Sequence, residues 1–261
     1  MRFGKNIDRR VQDGFKIPLL CIDCERHFNK WETNFARDMF HPYNSGSKSK
    51  FVYQDWLSHF CVSVSWRVAM YYFKVDQFEK VGAGFESDID SALAVWKDFL
   101  FKSRKTPGVY EQHLLPVDEI DEIGSRLNPP RNINRYLMRA VEIDIISGED
   151  TLMTFAKMGR FILFGYIKPP VEKWHGTRVA VNHGVVEPKK YVLPYSLMEF
   201  LFDRAINMER LAGSMSKRQQ AIVDEHMRKN IDRFGASDQM RAIKADYRIF
   251  GEVALPKKDK S

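Results

Sequence analysis

One short segment constrains the fold of this chain most: residues 19–25, Leu-Leu-Cys-Ile-Asp-Cys-Glu, after which a helical pattern begins at once. Two cysteines separated by two residues at the start of a helix can direct two sulfur atoms toward one metal ion, and tetrahedral zinc takes four ligands. The twenty residues before Cys21 contain neither cysteine nor histidine. The pair Cys21 and Cys24 therefore predicts one half of a zinc site.

His27 is the nearest further ligand, three residues after Cys24 on the same predicted helix. It could complete a zinc site with Cys21 and Cys24. Two other interpretations of the cysteine pair stay open: reduced thiols packed at a helix start, and a thioredoxin-like redox pair. Cys61 falls within an apolar helical stripe and is expected to be a small core residue.

Apolar spacing predicts two long helices in the N-terminal half. From residue 23 to about residue 40, apolar side chains recur every three or four positions and make one face, Phe28, Trp31, Phe35 and Met39. The dipeptide His41-Pro42 is expected to end this helix. A second helix is predicted from about Tyr53 to Phe73, with a wide buried stripe of Trp56, Leu57, Phe60, Cys61, Val64 and Val68.

The middle of the chain changes to patterns typical of strands. Residues 141–145 alternate like a half-exposed strand, and residues 161–167 form a continuous apolar run typical of a core strand. Short strands are also expected within residues 177–186 and 191–193. His175 and His183 fall at turns in this region, and a hydrolase that uses either of them is a weaker alternative.

Capping signals predict further helices on both sides of this region. Ser87 with Asp90 resembles a capping box, and Ser216 with Gln219 resembles a second one. Another helix is expected to open at Pro194. The helix after Ser216 carries basic residues that we predict to contact nucleic-acid phosphates, namely Arg218, Arg228, Lys229 and Arg233. It also contains acidic residues, so its charge is not of one sign.

The motif Leu-Leu-Cys-x-x-Cys-Glu-x-x-Phe-x-Lys-Trp-Glu, residues 19–32, resembles the second zinc knuckle of HNH-type treble-clef proteins. The chain is similar in particular to a group of uncharacterised bacterial proteins. In these, a first Cys-x-x-Cys and a Ser-His-Ile-Ile-Pro segment precede this knuckle. The similarity covers mainly residues 8–75, and it implies a treble-clef zinc fold and a nucleic-acid-related function.

The chain departs from the family pattern where the nuclease chemistry would lie. It has no first Cys-x-x-Cys and no segment with the histidine that would activate the attacking water. Glu25 stands where the family has a metal-binding His or Asn, and a carboxylate can hold Mg²⁺. Glu25 therefore joins Cys21, Cys24 and His27 as a candidate metal ligand. Either Met1 is an internal start in a longer gene, or the chain is a shortened family member.

Charge and composition narrow the classes of function. Lysine and arginine number 41 against 34 acidic residues, a net charge of +7, which permits contact with nucleic acid without demanding it. Three cysteines do not make a disulfide scaffold. No signal peptide is visible, and no apolar run approaches the roughly 18 residues of a membrane helix. We expect a cytoplasmic protein that does not contact membranes.

These observations predict an α+β fold. Residues 1–45 are expected to form a degenerate HNH-like zinc-knuckle segment, residues 46–255 a main domain with a small antiparallel sheet in its middle and helices at its end, and residues 256–261 a disordered basic tail. The favoured function is a nucleic-acid-related protein of HNH-like ancestry in which nuclease activity is absent or residual. The alternative is a non-enzymatic interaction protein, with a protein partner or a second copy, in which the zinc knuckle is vestigial.

Overall fold

The computed structural model describes residues 2–3, 6–10, 18–74, 84–121, 128–188, 194–213, 216–235 and 237–255. The chain divides into two compact units. The sheet unit comprises Pro18–Val117 and Val141–Pro194, and the helical unit comprises Met1–Ile17, Asp118–Ala140 and Tyr195–Ser261. The fold is α+β, with helices in the N-terminal half, an antiparallel sheet in the middle and helices toward the C-terminus, which confirms the predicted class.

Two short strands near the N-terminus, β1 (Arg2–Phe3) and β2 (Asn6–Arg10), pair antiparallel. The first long helix, α1 (Ile22–Phe35), follows the cysteine segment and buries the predicted face. Phe28, Trp31, Phe35 and Met39 are all buried. The prediction that His41-Pro42 ends the helix is wrong, because a π-helical turn (Ala36–Phe40) leads directly into α2 (His41–Asn44). Pro42 lies at the start of α2, directly after the π-helical turn.

The second long helix, α3 (Asp55–Lys74), follows a short strand, β3 (Phe51–Gln54). Of its predicted stripe, Leu57, Phe60, Cys61 and Val68 are buried, whereas Trp56 and Val64 are partly buried. The helix contacts α1 and both sheets of the unit. Because α3 has neighbours on most sides, its sequence is apolar over more than one narrow face.

The third long helix of the unit, α4 (Glu86–Leu100), packs against α3. Ile89, Trp96 and Leu100 are buried, as their spacing predicts. The predicted capping box at Ser87 is wrong, because the N-cap residue is Phe85, two residues earlier, and no side chain caps the helix. The Glu86 carboxylate instead accepts a hydrogen bond from the Gly84 amide at 3.1 Å, which stabilises the chain before the helix.

The main sheet has four antiparallel strands in the order β4-β7-β6-β5. Their bounds are β4 (Gln112–Pro116), β5 (Val141–Ser147), β6 (Leu152–Met158) and β7 (Phe161–Lys168). The half-exposed β5 and the buried β7 were predicted from their patterns. The sequence patterns gave no indication of β4 and β6, although both are almost wholly buried.

A second sheet pairs β3 with β8 (His183–Val186). Of the strands expected within residues 177–186, the structure shows β8, while residues 191–193 lie outside the described ranges. Phe51 pairs with Val186 and Tyr53 with Gly184. A Cβ on Gly184 would lie 2.6 Å from Cζ of Tyr53, so this position must lack a side chain.

The helical unit contains α5 (Ile133–Arg139), α6 (Tyr195–Gly213), α7 (Lys217–Lys229), α8 (Ile231–Gly235) and α9 (Asp238–Phe250), with a 3₁₀ turn at Gly251–Ala254. The buried carboxylate of Asp246 on α9 joins two of them. It accepts hydrogen bonds from the Asn134 amide (2.7 Å) and from Nε of Arg135 (2.9 Å) at the start of α5. Ser216 caps α7 by accepting from the Gln219 amide, as predicted.

Residues 18–45 share one hydrophobic core with α3 and the main sheet, since Phe28 and Trp31 belong to the same cluster as Leu57 and Phe161. That residues 1–45 form a zinc-knuckle segment stays a prediction. The expected disordered tail, residues 256–261, lies outside the described ranges. Of the helices in the described ranges, none combines the length and apolar character needed to cross a membrane.

Helix α3 approaches the main sheet closely at Gly165 in β7. A Cβ at this position would lie 2.7 Å from both Cβ of Ser65 on α3 and Oγ1 of Thr154 on β6. Helix and sheet can therefore meet at this distance only because residue 165 has no side chain.

We predict that Gly165→Ala lowers the free energy of unfolding by about 1–3 kcal/mol, because the added methyl group overpacks this contact. Gly148→Ala is the matched control, since its Cβ would meet only Cβ of Thr151 at 3.8 Å. Urea unfolding followed by circular dichroism measures both variants. Equal stabilities of the two variants would contradict the close-packing argument.

Candidate functional site

Cys21 and Cys24 lie at the start of α1 with their sulfur atoms side by side. Cys21 is the N-cap residue, and its Sγ accepts a hydrogen bond from the Cys24 amide at 3.4 Å. The two Sγ atoms are 3.2 Å apart. Cys21 is exposed and Cys24 is half-buried, so the pair is accessible from solvent at a helix N-terminus.

The two thiols have different proton affinities. Hydrogen bonds from the backbone amide and the thiol of Cys24 lower the pKa of Cys21. The hydrogen bond between the two sulfur atoms raises the pKa of Cys24, and burial raises it further. Cys21 is therefore the more acidic thiol of the pair.

His27 is half-buried and is held by contacts with the C-terminal end of α4 and with its neighbours. Its Nε2 lies 3.1 Å from the carbonyl oxygen of Leu100. The ring also stacks on Phe101 and meets the edge of Trp31. Since a carbonyl only accepts hydrogen bonds, Nε2 carries the proton in the neutral ring and Nδ1 keeps the lone pair that a metal would need.

Glu25 lines a cavity of about 350 Å³ beside α1. Within this cavity the Glu32 carboxylate forms an ion pair of 2.6 Å with Arg67. The other lining residues are Leu20, Ile22, Arg26, Phe28 and Asn29. The cavity thus has charges of both signs along one face of α1.

Across the described ranges, no three histidine, cysteine or acidic side chains form a group that could hold a metal ion. The structure brings Cys21 and Cys24 together, and it does not gather Glu25 and His27 with them into such a group. The zinc site predicted from these four residues stays a prediction. Two sulfur ligands are one half of a tetrahedral zinc site.

Three of the four predicted nucleic-acid contacts lie on α7, a helix in which no described residue is buried. Arg218 and Arg228 are exposed, and Lys229 forms an ion pair of 2.7 Å with Glu225 one turn before it. At about 100° per residue, Arg218, Arg228 and Lys229 fall within one third of the helix circumference. Arg233 belongs to α8, and its side chain lies outside what the structure describes.

The sequence patterns did not indicate a buried polar cluster around His113 of β4. Its Nδ1 lies 2.8 Å from Oγ1 of Thr177, and its ring contacts Tyr166 and Trp174. Its Nε2 and the indole N–H of Trp174 are buried without a hydrogen-bond partner among described atoms. Because the ring is only 3% exposed, burial lowers the pKa of His113 to about 4.

A second buried polar residue, Lys157 on β6, also went unpredicted. Its Nζ donates a hydrogen bond to the carbonyl oxygen of Gly159, and Glu142 is its partner across the sheet. Burial lowers the pKa of this lysine to about 7. His175 and His183, the weaker catalytic alternative, are both exposed, with His183 on β8 opposite Gln54.

Comparison with known proteins returned no matching family model, no matching curated protein and no matching solved structure.

We predict that stability falls in acid because of His113. Its folded pKa of about 4 lies below its ordinary value of 6.5, so the unfolded chain takes up the proton first. The neutral, buried ring contributes its full stabilisation above pH 6.5. As the pH falls toward 4, the free energy of unfolding decreases by about 3 kcal/mol. Denaturant unfolding between pH 7 and pH 4 measures the loss.

In His113→Phe, which keeps an aromatic ring among Tyr166 and Trp174, this part of the pH dependence should disappear. His59, whose pKa burial also lowers, contributes in the same direction and remains in the variant. Exposed His41 replaced by Phe serves as the control and should keep the pH dependence that His113 contributes. The same slope in His113→Phe and in the unmodified protein would contradict the assignment.

Proposed function

We propose that this protein binds nucleic acid through α7 and that nuclease activity is absent or residual in this chain. The observation that supports the proposal is the pair of exposed guanidinium groups of Arg218 and Arg228, which form no ion pair with a described side chain. A cation without a protein partner loses little on binding a phosphate, because it breaks no existing ion pair.

The spacing of the two arginines suits a phosphate backbone. Ten residues separate them, which is about 15 Å along a helix. Phosphates on one DNA strand follow each other every 3.4 Å along the duplex axis, so the pair spans about four phosphates. Lys229 lies on the same face, although its ion pair with Glu225 weakens its contribution.

The chemistry of the candidate ligands supports the proposal of absent or residual cleavage. An HNH-type reaction needs a histidine that activates water and a divalent metal on the leaving phosphate oxygen. The described residues form no group of three side chains that could hold such a metal. We propose HNH-like ancestry on the resemblance of residues 19–32, and a cytoplasmic location in keeping with a nucleic-acid partner.

We predict that Arg218→Ala/Arg228→Ala weakens binding of a fluorescein-labelled mixed-sequence DNA duplex at least about tenfold at low salt. The slope of log K against log salt should fall by about 2, since two phosphate contacts are lost. Fluorescence anisotropy over a salt series measures both quantities. The duplex should stay intact in the presence of Mg²⁺.

The matched control is Arg26→Ala/Arg37→Ala, which removes the same charge from exposed arginines that already pair with Asp23 and Asp38. This variant should bind almost as tightly as the unmodified chain. If both double variants lose affinity equally, the attraction depends on net charge alone and the assignment to α7 is wrong.

A second candidate function, binding of a protein partner, is favoured by β5. This strand lies at an edge of the main sheet, and its Val141 and Ile143 side chains are 81% and 42% exposed. Edge strands with exposed apolar residues can pair with an added strand. If β5 paired with β5 of a second copy, Glu142 or Asp144 would lie opposite acidic residues of that copy, and like charges repel. A partner strand of alternating apolar and basic residues therefore fits this edge better.

We predict that a synthetic peptide of alternating valine and lysine slows hydrogen exchange of the β5 amides. Val141→Lys should abolish the protection, because it places a like charge beside the lysines. Val171→Lys, at a 90% exposed loop position, is the control and should keep it. Unchanged β5 exchange at saturating peptide would exclude this edge as a binding site.

A further inference from the structure

We propose that Cys21 and Cys24 form a thiol–disulfide exchange site that reacts with low-molecular-weight disulfides. The inference is independent of nucleic-acid binding, because the cysteines belong to the sheet unit and α7 to the helical unit. It rests on the mutual geometry of two thiols in one helical turn.

The two sulfurs are positioned to bond to each other. They are 3.2 Å apart, and a disulfide bond is about 2.05 Å long, so small side-chain rotations bring them together. The helix need not unwind, because the Glu25 amide already donates to the Cys21 carbonyl at 3.0 Å. The cross-link therefore forms within a turn that the reduced chain has already built.

Accessibility assigns the two roles. Cys21 is exposed and can meet an external disulfide, whereas Cys24 is half-buried directly behind it. Cys21 is thus the attacking thiol and Cys24 the resolving thiol. Cys61, the third cysteine of the chain, is fully buried in the core and takes no part.

The reaction balances without a further oxidant. The Cys21 thiolate attacks one sulfur of the external disulfide RSSR, and the bond between its two sulfurs breaks to release one thiolate, which takes up a proton. The Cys24 thiolate then attacks Sγ of Cys21 and displaces the second thiolate, which is also protonated. The protein dithiol loses two electrons and two protons, and RSSR becomes two RSH.

A zinc ion and a disulfide at this pair exclude each other, because zinc needs both sulfurs as thiolates. The described residues form no group of three ligands with the cysteines. A dithiol without further ligands is open to exchange, which is why the disulfide is the chemistry we assign.

The test exposes the full-length native protein to glutathione disulfide, followed by alkylation of free thiols and mass spectrometry of peptides. We expect one intrachain Cys21–Cys24 disulfide, reversed by dithiothreitol, with Cys61 alkylated only after unfolding. Metal content of the purified protein is measured in parallel. One tightly held zinc per chain that blocks the disulfide would overturn the proposal.

Two single variants test the order of the steps. Cys24→Ser should stop at a persistent mixed disulfide between Cys21 and glutathione. Cys21→Ser, in which serine keeps the N-cap, should react at least about tenfold more slowly. Circular dichroism verifies that both variants fold. Equal rates for the two, or no intrachain disulfide in the unmodified protein, would refute the site.

Discussion

The sheet unit depends on one helix, α3, which contacts α1, α4 and both sheets of the unit. Its contact with the main sheet is close enough that Ser65 donates a hydrogen bond of 2.6 Å to the side chain of Gln112 on β4. On the opposite side the ring of His59 stacks between Trp31 of α1 and Phe99 of α4. Helix α3 thus sets the distance between the main sheet and the helices α1 and α4. Small or polar residues occur along α3 because the neighbouring backbone lies close to it.

This central position explains which elements the sequence could predict. The helices α1 and α4 each bury one side, so their apolar residues recur at helical spacing and can be recognised. The strands β5 and β7 are simple cases, one half-exposed and one continuously apolar. The strands β4 and β6 escaped recognition because buried His113 and Lys157 interrupt their apolar runs, and no local pattern shows that tertiary contacts satisfy these polar groups.

The helical unit depends on one buried carboxylate, whose hydrogen bonds the sequence does not reveal. Asp246 is fully buried on α9, and burial raises the pKa of its carboxyl group. It accepts hydrogen bonds from the backbone amides of Asn134 and Arg135, which the first turn of α5 leaves without helical partners. More than a hundred residues separate the carboxylate from these donors, so spacing alone gives no sign that the two segments meet.

The cysteine pair shows which part of a candidate functional site the local sequence can predict. Two cysteines in one turn at a helix start must lie close together, because the turn itself fixes their separation. The remaining ligands of a zinc site would have to come from elsewhere, and only folding decides whether they arrive. His27 is one turn away in sequence, yet its ring is held by the Leu100 carbonyl and by Trp31 and Phe101. What local sequence does guarantee at this position is a pair of adjacent thiols, and the chemistry available to such a pair without further ligands is exchange with another disulfide.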